Sequence, residues 1–377
     1  MKNFKTPILV TRPFLPEIHE FKAGVDEIWA NKWLTNNGPM VRRFQNALAA
    51  YLNVSEANLA LFNNGTLALE LGYYAMGLSG GDVITTPFTF VATSHALKRI
   101  GATPIFADIN PDTLCLDPAK VEKLITPRTK AIVPVHVYGH ICDIEGFSRL
   151  SERYGVPVIY DAAHAFGVTV GQKGNPDGVT SIGAVGDMSM FSFHPTKLFH
   201  SCEGGLLVFK DTSVQERLFR LRNFAIKSET ECVDVGSNAK MNELQALMGL
   251  CCLKNMPELL SWRKMVFDMY LSVFSRQGGR PKVKLLSSSA NHAYCPVLFD
   301  SFELREKVYS ELKTKCNVFS RRYFYPILTD FAPYLYAKGT CPVAESVASR
   351  VLTLPTYYGL DPMDVRAIAE NILEIVR

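Results

Sequence analysis

Apolar residues recur along this chain in two alternating patterns: short β-branched runs and longer stretches with helical spacing. Val41, Phe44, Leu48, Tyr51 and Leu52 fall at helical intervals, with Arg42 and Arg43 on the other side, which predicts a helix over 39–52. The polar turn Leu34-Thr-Asn-Asn-Gly-Pro39 marks its start. Leu59–Phe62 reads as a strand, Asn63-Asn-Gly-Thr66 as a turn, and 67–78 as a helix. Strands are then expected at 83–86, 104–107, 131–137 and 156–160, with helices at 90–100, 118–125 and 143–154 between them. Such alternation predicts βαβ units and a mostly parallel sheet covered on both faces.

Residues 168–187 are rich in glycine and polar side chains, among them Gly171, Gly174, Asn175, Pro176, Asp177 and Gly178, and read as a long loop or hairpin. Two apolar strands flank a polar turn at Lys197, the second following Glu203-Gly-Gly, and a helix closes at 217–222. A helical run from Asn242 to about Leu260 leads past Pro257 into a helix at 261–275, a strand near 293–299, and helices at 302–313 and 361–376. The pattern predicts a large α/β domain over 1–255 and a smaller α/β domain over 256–377.

Composition narrows the function class. Forty basic against thirty-six acidic side chains give a net charge of +4 without long runs, so neither a nucleic-acid surface nor a polybasic membrane surface is expected. No apolar stretch approaches the length of a bilayer span, and the first residues lack the apolar core of a signal peptide. The nine cysteines are scattered, with no Cys-x-x-Cys spacing. That argues against a metal or disulfide framework and fits a reducing cytoplasm.

Ligands of open α/β sheets sit beyond the carboxyl ends of the strands, so the polar residues at those ends are the ones to collect. They are Gly65-Thr66 after the strand at 59–62, Phe88 after that at 83–86, Asp161 and His164 after that at 156–160, and Ser192 and Lys197 after the apolar run at 188–193. Singly, each has an ordinary structural reading: a helix cap, a turn, a core aromatic, a structural imidazole, a surface lysine. Together they suit one cofactor. Helix N-terminal amides and a hydroxyl suit a phosphate, a carboxylate a protonated ring nitrogen, an aromatic face a flat heterocycle, and a desolvated lysine a Schiff base. Pyridoxal 5′-phosphate (PLP) asks for all four.

Longer motifs carry a resemblance. Phe191-Ser-Phe-His-Pro-Thr-Lys197, Glu203-Gly-Gly, Asp161-Ala-Ala-His-Ala-Phe-Gly167 and Asn64-Gly-Thr-Leu-Ala-Leu69 resemble the DegT/StrS (DnrJ-type) family of PLP-dependent sugar-nucleotide aminotransferases. So do Val135-His-Val-Tyr-Gly139, Gly236-Ser-Asn-Ala-Lys-Met-Asn-Glu-Leu-Gln-Ala246 and Arg322-Tyr-Phe-Tyr-Pro326, so that the likeness spans nearly the whole chain. The resemblance implies the fold-type-I architecture of PLP-dependent transferases. It implies Lys197 as Schiff-base lysine and proton carrier, and Asp161 as partner of the ring nitrogen. Gly65, Thr66 and Ser192 would hold the phosphate with Asn238 of a neighbouring subunit, and Phe88 and His164 would sandwich the ring. A homodimer with shared active sites follows. Asn37, Lys227, Arg321 and Tyr323 are the implied substrate contacts. Some family members carry histidine in place of the lysine and are dehydratases; Lys197 favours transamination. The sequence departs from the family pattern at Phe44-Gln45 and at His200-Ser-Cys202, neither of which touches an expected cofactor contact.

The implied reaction moves an amino group from L-glutamate to dTDP-4-dehydro-6-deoxyglucose, giving dTDP-4-amino-4,6-dideoxyglucose, a precursor of lipopolysaccharide O-antigen sugars. Amination at C3, another PLP reaction on a sugar or cyclitol, and a non-catalytic sugar-nucleotide-binding protein are the alternatives.

Overall fold

A computed structural model describes residues 1–172, 175–277, 281–286 and 289–377. Strands Thr103–Phe106, Asp82–Thr85 and Thr129–Val133 form a parallel set, and Ile159–Asp161, Met188–Ser192, Gly205–Phe209 and Leu59–Phe62 form a second set, in those spatial orders. Parallel bridges Ile132↔Val158 and Val135↔Asp161 join the two into one seven-stranded sheet. Gly205–Phe209 runs antiparallel to both its neighbours, so the sheet is mostly parallel. Nearly every strand residue is buried, as expected when helices cover both faces.

One face carries Leu59, Leu61, Phe191, Leu206 and Val208, packed on Pro39–Leu52 and Glu243–Leu253. The other carries Ala60, Phe62, Val83, Met190 and Leu207 under Gly65–Ala75 and Ala92–Arg99. The predicted helix at 39–52 is present with those bounds. Its start is held from a distance, because Pro39 lacks an N–H and Gly38 lacks a capping side chain. The buried Glu243 carboxylate accepts from the Met40 and Val41 amides at 2.7 and 3.1 Å, a negative charge at a helix N-terminus.

One element differs from expectation. The run expected from Asn242 to about Leu260 is two helices, Glu243–Leu253 and Met256–Phe274, with Pro257 in the first turn of the second, where its missing N–H is harmless. Within 168–187, read as a long loop or hairpin, the strands Thr169–Gln172 and Asn175–Ser181 pair antiparallel; Gly174 lies outside the described residues.

Towards the C-terminus, strands Val283–Leu285, Cys295–Phe299 and Val351–Leu354 make an antiparallel sheet backed by Phe302–Cys316 and Pro362–Ile375. The helix Met256–Phe274 belongs to both cores: Met256 and Leu259 pack in the first, Val266 to Phe274 in the second. Phe4 and Ile8 also pack in the second, with Ile8 bridged to Val318. The N-terminal segment therefore joins the smaller layer, although sequence order alone groups it with the larger one.

Candidate active site

At the carboxyl ends of the central strands lies a cavity of about 740 Å³. Its floor is built from turns that follow buried strands. Leu59–Phe62 leads into Asn64, whose side chain accepts from the Leu67 amide at 2.9 Å and caps the helix Gly65–Ala75. Because the cap takes the third amide, the Gly65 and Thr66 N–H groups have no acceptor among the described residues and stand at the positive end of the helix. Ser192, ending its strand, faces them. A Cβ at Gly65 would lie 3.0 Å from Ser192 Cβ and 3.2 Å from its Oγ, so only glycine allows this approach without displacing the serine. An open amide pair beside a hydroxyl is an anion site.

Asp161 is 4 % exposed, at the end of its strand. Thr93 Oγ1 donates to Oδ2 at 2.7 Å and the Ala163 amide to Oδ1 at 3.1 Å. Burial pushes its carboxyl pKa up, against the pull of those two hydrogen bonds and of the Lys197 ammonium. Such a carboxylate is poised to take a cationic partner. His164, also buried, accepts the Tyr138 N–H on Nδ1 at 3.0 Å, which leaves the proton of a neutral ring on Nε2. Burial and the nearby Lys197 charge hold its pKa well below the ordinary histidine value, so it faces the cavity as a neutral imidazole.

Lys197 sits half-buried in the turn between the Met188–Ser192 and Gly205–Phe209 strands. Its Nζ donates to the Tyr294 hydroxyl at 3.4 Å. Tyr294 comes from the smaller layer, so this single contact spans the two parts of the molecule. Arg321 and Tyr323 line the same cavity from that side. The structure thus brings together Gly65, Thr66, Asp161, His164, Ser192, Lys197, Arg321 and Tyr323.

Phe88 is a correction. It does not line the cavity; its ring is fully buried in a separate aromatic cluster, edge-on to Tyr138 at 6.1 Å and to Phe324 at 5.6 Å. Phe90, two residues on and half exposed, lines the cavity instead. The segment 86–91 is neither strand nor helix, so periodicity gave no rule for which aromatic faces inward. Thr93, which holds Asp161, and Tyr294 were also missed. Thr93 follows Phe90 by three residues at the start of a helix, the one local signal available; Tyr294 has none.

Asn37, Lys227 and Asn238 lie outside this cavity. Asn37 lines a separate hollow of about 140 Å³ with Arg222, Asn223 and Lys240. Asn238 is exposed beside it and accepts from Lys240 Nζ at 2.8 Å. Lys227 is exposed and paired with Glu231 at 3.0 Å. Among the described residues no group of three or more His, Cys, Asp or Glu side chains is placed to hold a metal ion, and no helix is long and apolar enough to cross a membrane.

The family model for DegT/DnrJ/EryC1/StrS aminotransferases matches residues 16–373. The chain belongs to that family. Its members are PLP-dependent, and the seven-stranded sheet with a smaller antiparallel layer is the fold of type I PLP-dependent transferases. A dTDP-4-amino-4,6-dideoxy-D-glucose transaminase of Shigella dysenteriae is 42% identical over 375 residues, covering 98% of this chain and 99% of the relative. Among solved structures, DesI in the presence of its TDP-sugar product superposes with a TM-score of 0.89 at 34% identity, over 100% of this chain and 95% of that one. NtdA from Bacillus subtilis, with the cofactor PMP bound, gives a TM-score of 0.84 at 26% identity, over 99% of this chain and 87% of that one.

Proposed function

We propose that this family member is a PLP-dependent aminotransferase that moves an amino group from L-glutamate to dTDP-4-dehydro-6-deoxyglucose, producing dTDP-4-amino-4,6-dideoxyglucose for O-antigen synthesis. The observation that carries the reading is the combination of Lys197, Asp161 and an open amide pair in one cavity of a chain 42% identical, end to end, to a transaminase named for that product.

The residues present fit the cofactor. The unpartnered Gly65 and Thr66 amides and the Ser192 hydroxyl supply donors for a phosphate, the buried Asp161 carboxylate an acceptor for a ring N–H, and Lys197 the amine for a carbonyl. When bound, PLP supplies an electron sink that acidifies the carbon bearing the transferred nitrogen. The protein's part is positional. Asp161, kept in place by Thr93 and Ala163, holds a proton on the ring nitrogen. Lys197 Nζ would be the group that moves a proton at the carbon bearing the transferred nitrogen. His164 and Phe90 are the neutral imidazole and aromatic available to enclose a flat ring.

The site is completed by a second copy of the chain in this reading. Asn37, Lys227 and Asn238 stand outside their own chain's cavity. They occur among exposed apolar residues, Trp33, Leu34, Phe224, Ile226 and Val235, of the kind that partner surfaces cover. Asn238 would reach the partner's phosphate.

The test is a spectrum and a product. Purified protein loaded with PLP should lose its long-wavelength absorbance on adding L-glutamate and release 2-oxoglutarate. It should then aminate the dTDP 4-keto sugar in preference to GDP- or UDP-linked ones. Lys197→Ala should fold and retain cofactor but yield no product. A wild type that binds dTDP-sugar yet forms no oxo acid from glutamate or any other amino acid would refute transamination and leave the other PLP reactions and the binding-protein reading.

A further inference from the structure

Beside the hollow lined by Asn37, Arg222, Asn223 and Lys240, the backbone of Asn238 is held on a short framework. Asn223 and Asn238 form an antiparallel bridge. The Phe224 amide donates to the Ser237 carbonyl at 3.1 Å, and the Ala239 amide to the Arg222 carbonyl at 2.9 Å. The Asn63 amide donates to the Ala239 carbonyl at 2.9 Å. Asn238 is thereby tied to the end of the helix Ser213–Leu221 and to the turn that precedes Gly65.

Its side chain is set separately. Lys240 Nζ donates to Asn238 Oδ1 and to Asn223 Oδ1, each at 2.8 Å. A primary amide carries its acceptor at one end and its two donors at the other. With Oδ1 taken by the ammonium, Nδ2 is the end left over, and it has no acceptor among the described residues. Without the lysine, an exposed amide is free to present either end, and its oxygen end repels an anion.

The charges around this amide point the same way. Lys240 has no carboxylate partner among the described residues. Neither does Arg222, 6 % exposed, whose guanidinium donates to the Leu61 carbonyl at 2.6 Å. Burial and the Arg222 charge both lower the Lys240 pKa. Two neighbouring cations without an acid make an edge that suits an anion brought from outside the chain. We propose that Lys240 is a positioning residue: it turns the Asn238 amide so that its NH₂ donates to the cofactor phosphate in the partner's cavity. This rests on the shared-site reading above, in which Asn238 reaches that phosphate.

The test is the affinity of the purified protein for PLP, followed by absorbance, beside its affinity for pyridoxal, which lacks the phosphate. Wild type is compared with Lys240→Met, Lys240→Arg, Asn238→Ala and the double variant Lys240→Met/Asn238→Ala, with sedimentation of each to report the dimer. Loss of a hydrogen bond to a charged group predicts that Asn238→Ala weakens PLP by roughly 10- to 100-fold. Lys240→Met should weaken it by a smaller factor, roughly 5- to 10-fold, and Lys240→Arg, which keeps the charge and the donors, should restore most of the loss. In the Asn238→Ala background, Lys240→Met should change PLP affinity by less than about 2-fold. Pyridoxal affinity and the dimer should be unchanged throughout. Equal losses in both backgrounds would mean that Lys240 acts on the phosphate without Asn238, and a wild-type PLP affinity in Lys240→Met would mean that it does not act. Either overturns the proposal, as does a Lys240→Met chain that loses pyridoxal equally or sediments as a monomer, the marks of a merely structural lysine. In each of these cases a loss of PLP affinity in Asn238→Ala leaves the shared-site reading standing. An Asn238→Ala variant with wild-type PLP affinity overturns that reading and the proposal with it.

Discussion

Replacing Asp161 by asparagine should move stability and function in opposite directions. The amide has the shape of the carboxylate, and the surrounding hydrogen bonds can accommodate it. Its oxygen keeps the Ala163 N–H, its NH₂ donates to Thr93 Oγ1, and Thr93 turns its own proton to Thr89 Oγ1, 3.0 Å away. In the cofactor-free protein, burial has raised the carboxyl pKa. A folded pKa above the unfolded value means the ionised carboxylate lowers stability once pH exceeds the unfolded value, about 4. Asp161→Asn removes that charge, so the apo variant should melt at or above the wild-type temperature at pH 7, the two converging below about pH 4. The loaded enzyme should behave otherwise. Taking one partner from a buried, hydrogen-bonded ion pair costs about 3–5 kcal/mol, which corresponds to roughly 10²- to 10⁴-fold in the rate of amino transfer. Thermal melts of the apo protein from pH 3.5 to 8, with single-turnover release of 2-oxoglutarate by the loaded enzyme, measure both. An asparagine variant that keeps the wild-type rate would show that Asp161 is not the ring partner. An apo variant that melts several degrees lower would show the carboxylate to be structural.

Phe88→Ala should cost about 3–5 kcal/mol of stability because it empties a fully buried aromatic site, whereas Phe90→Ala should leave stability within about 1 kcal/mol and weaken cofactor retention; chemical denaturation and cofactor titration of the pair distinguish them. Glu243→Ala should destabilise by about 2–5 kcal/mol, since it strands the Met40 and Val41 amides at a buried helix start; a urea midpoint within error of wild type would refute this capping role.

The alternation of strands and helices over 59–209 was legible because a sheet buried on both faces demands short continuous apolar runs, and the covering helices demand a 3.6-residue period. Those same runs end where ligands bind, so Gly65, Thr66, Asp161, Ser192 and Lys197 could be collected from their places in the chain. Strand direction was not written there. Gly205–Phe209 runs against its neighbours, and Gly205 sits where a Cβ would lie 2.4 Å from the Asn64 carbonyl oxygen, a contact between segments 141 residues apart. The choice of Phe90 over Phe88 belongs to an irregular segment with no period to read, and the break before Met256 falls within a sequence that is apolar on several faces. Tertiary structure alone brought Tyr294 to Lys197, and it put Arg321 and Tyr323, which only the family resemblance had singled out, in the same cavity, because all three come from a separate layer whose packing no local pattern encodes. It alone set Asn37 and Lys227 apart from their own chain's cavity, whereas the family resemblance already implied that Asn238 serves a neighbouring subunit. Local sequence determines periodicity and strand ends, since these depend on neighbours within a few residues; the cavity's second wall depends on how two cores meet, and that is decided by packing across the whole chain.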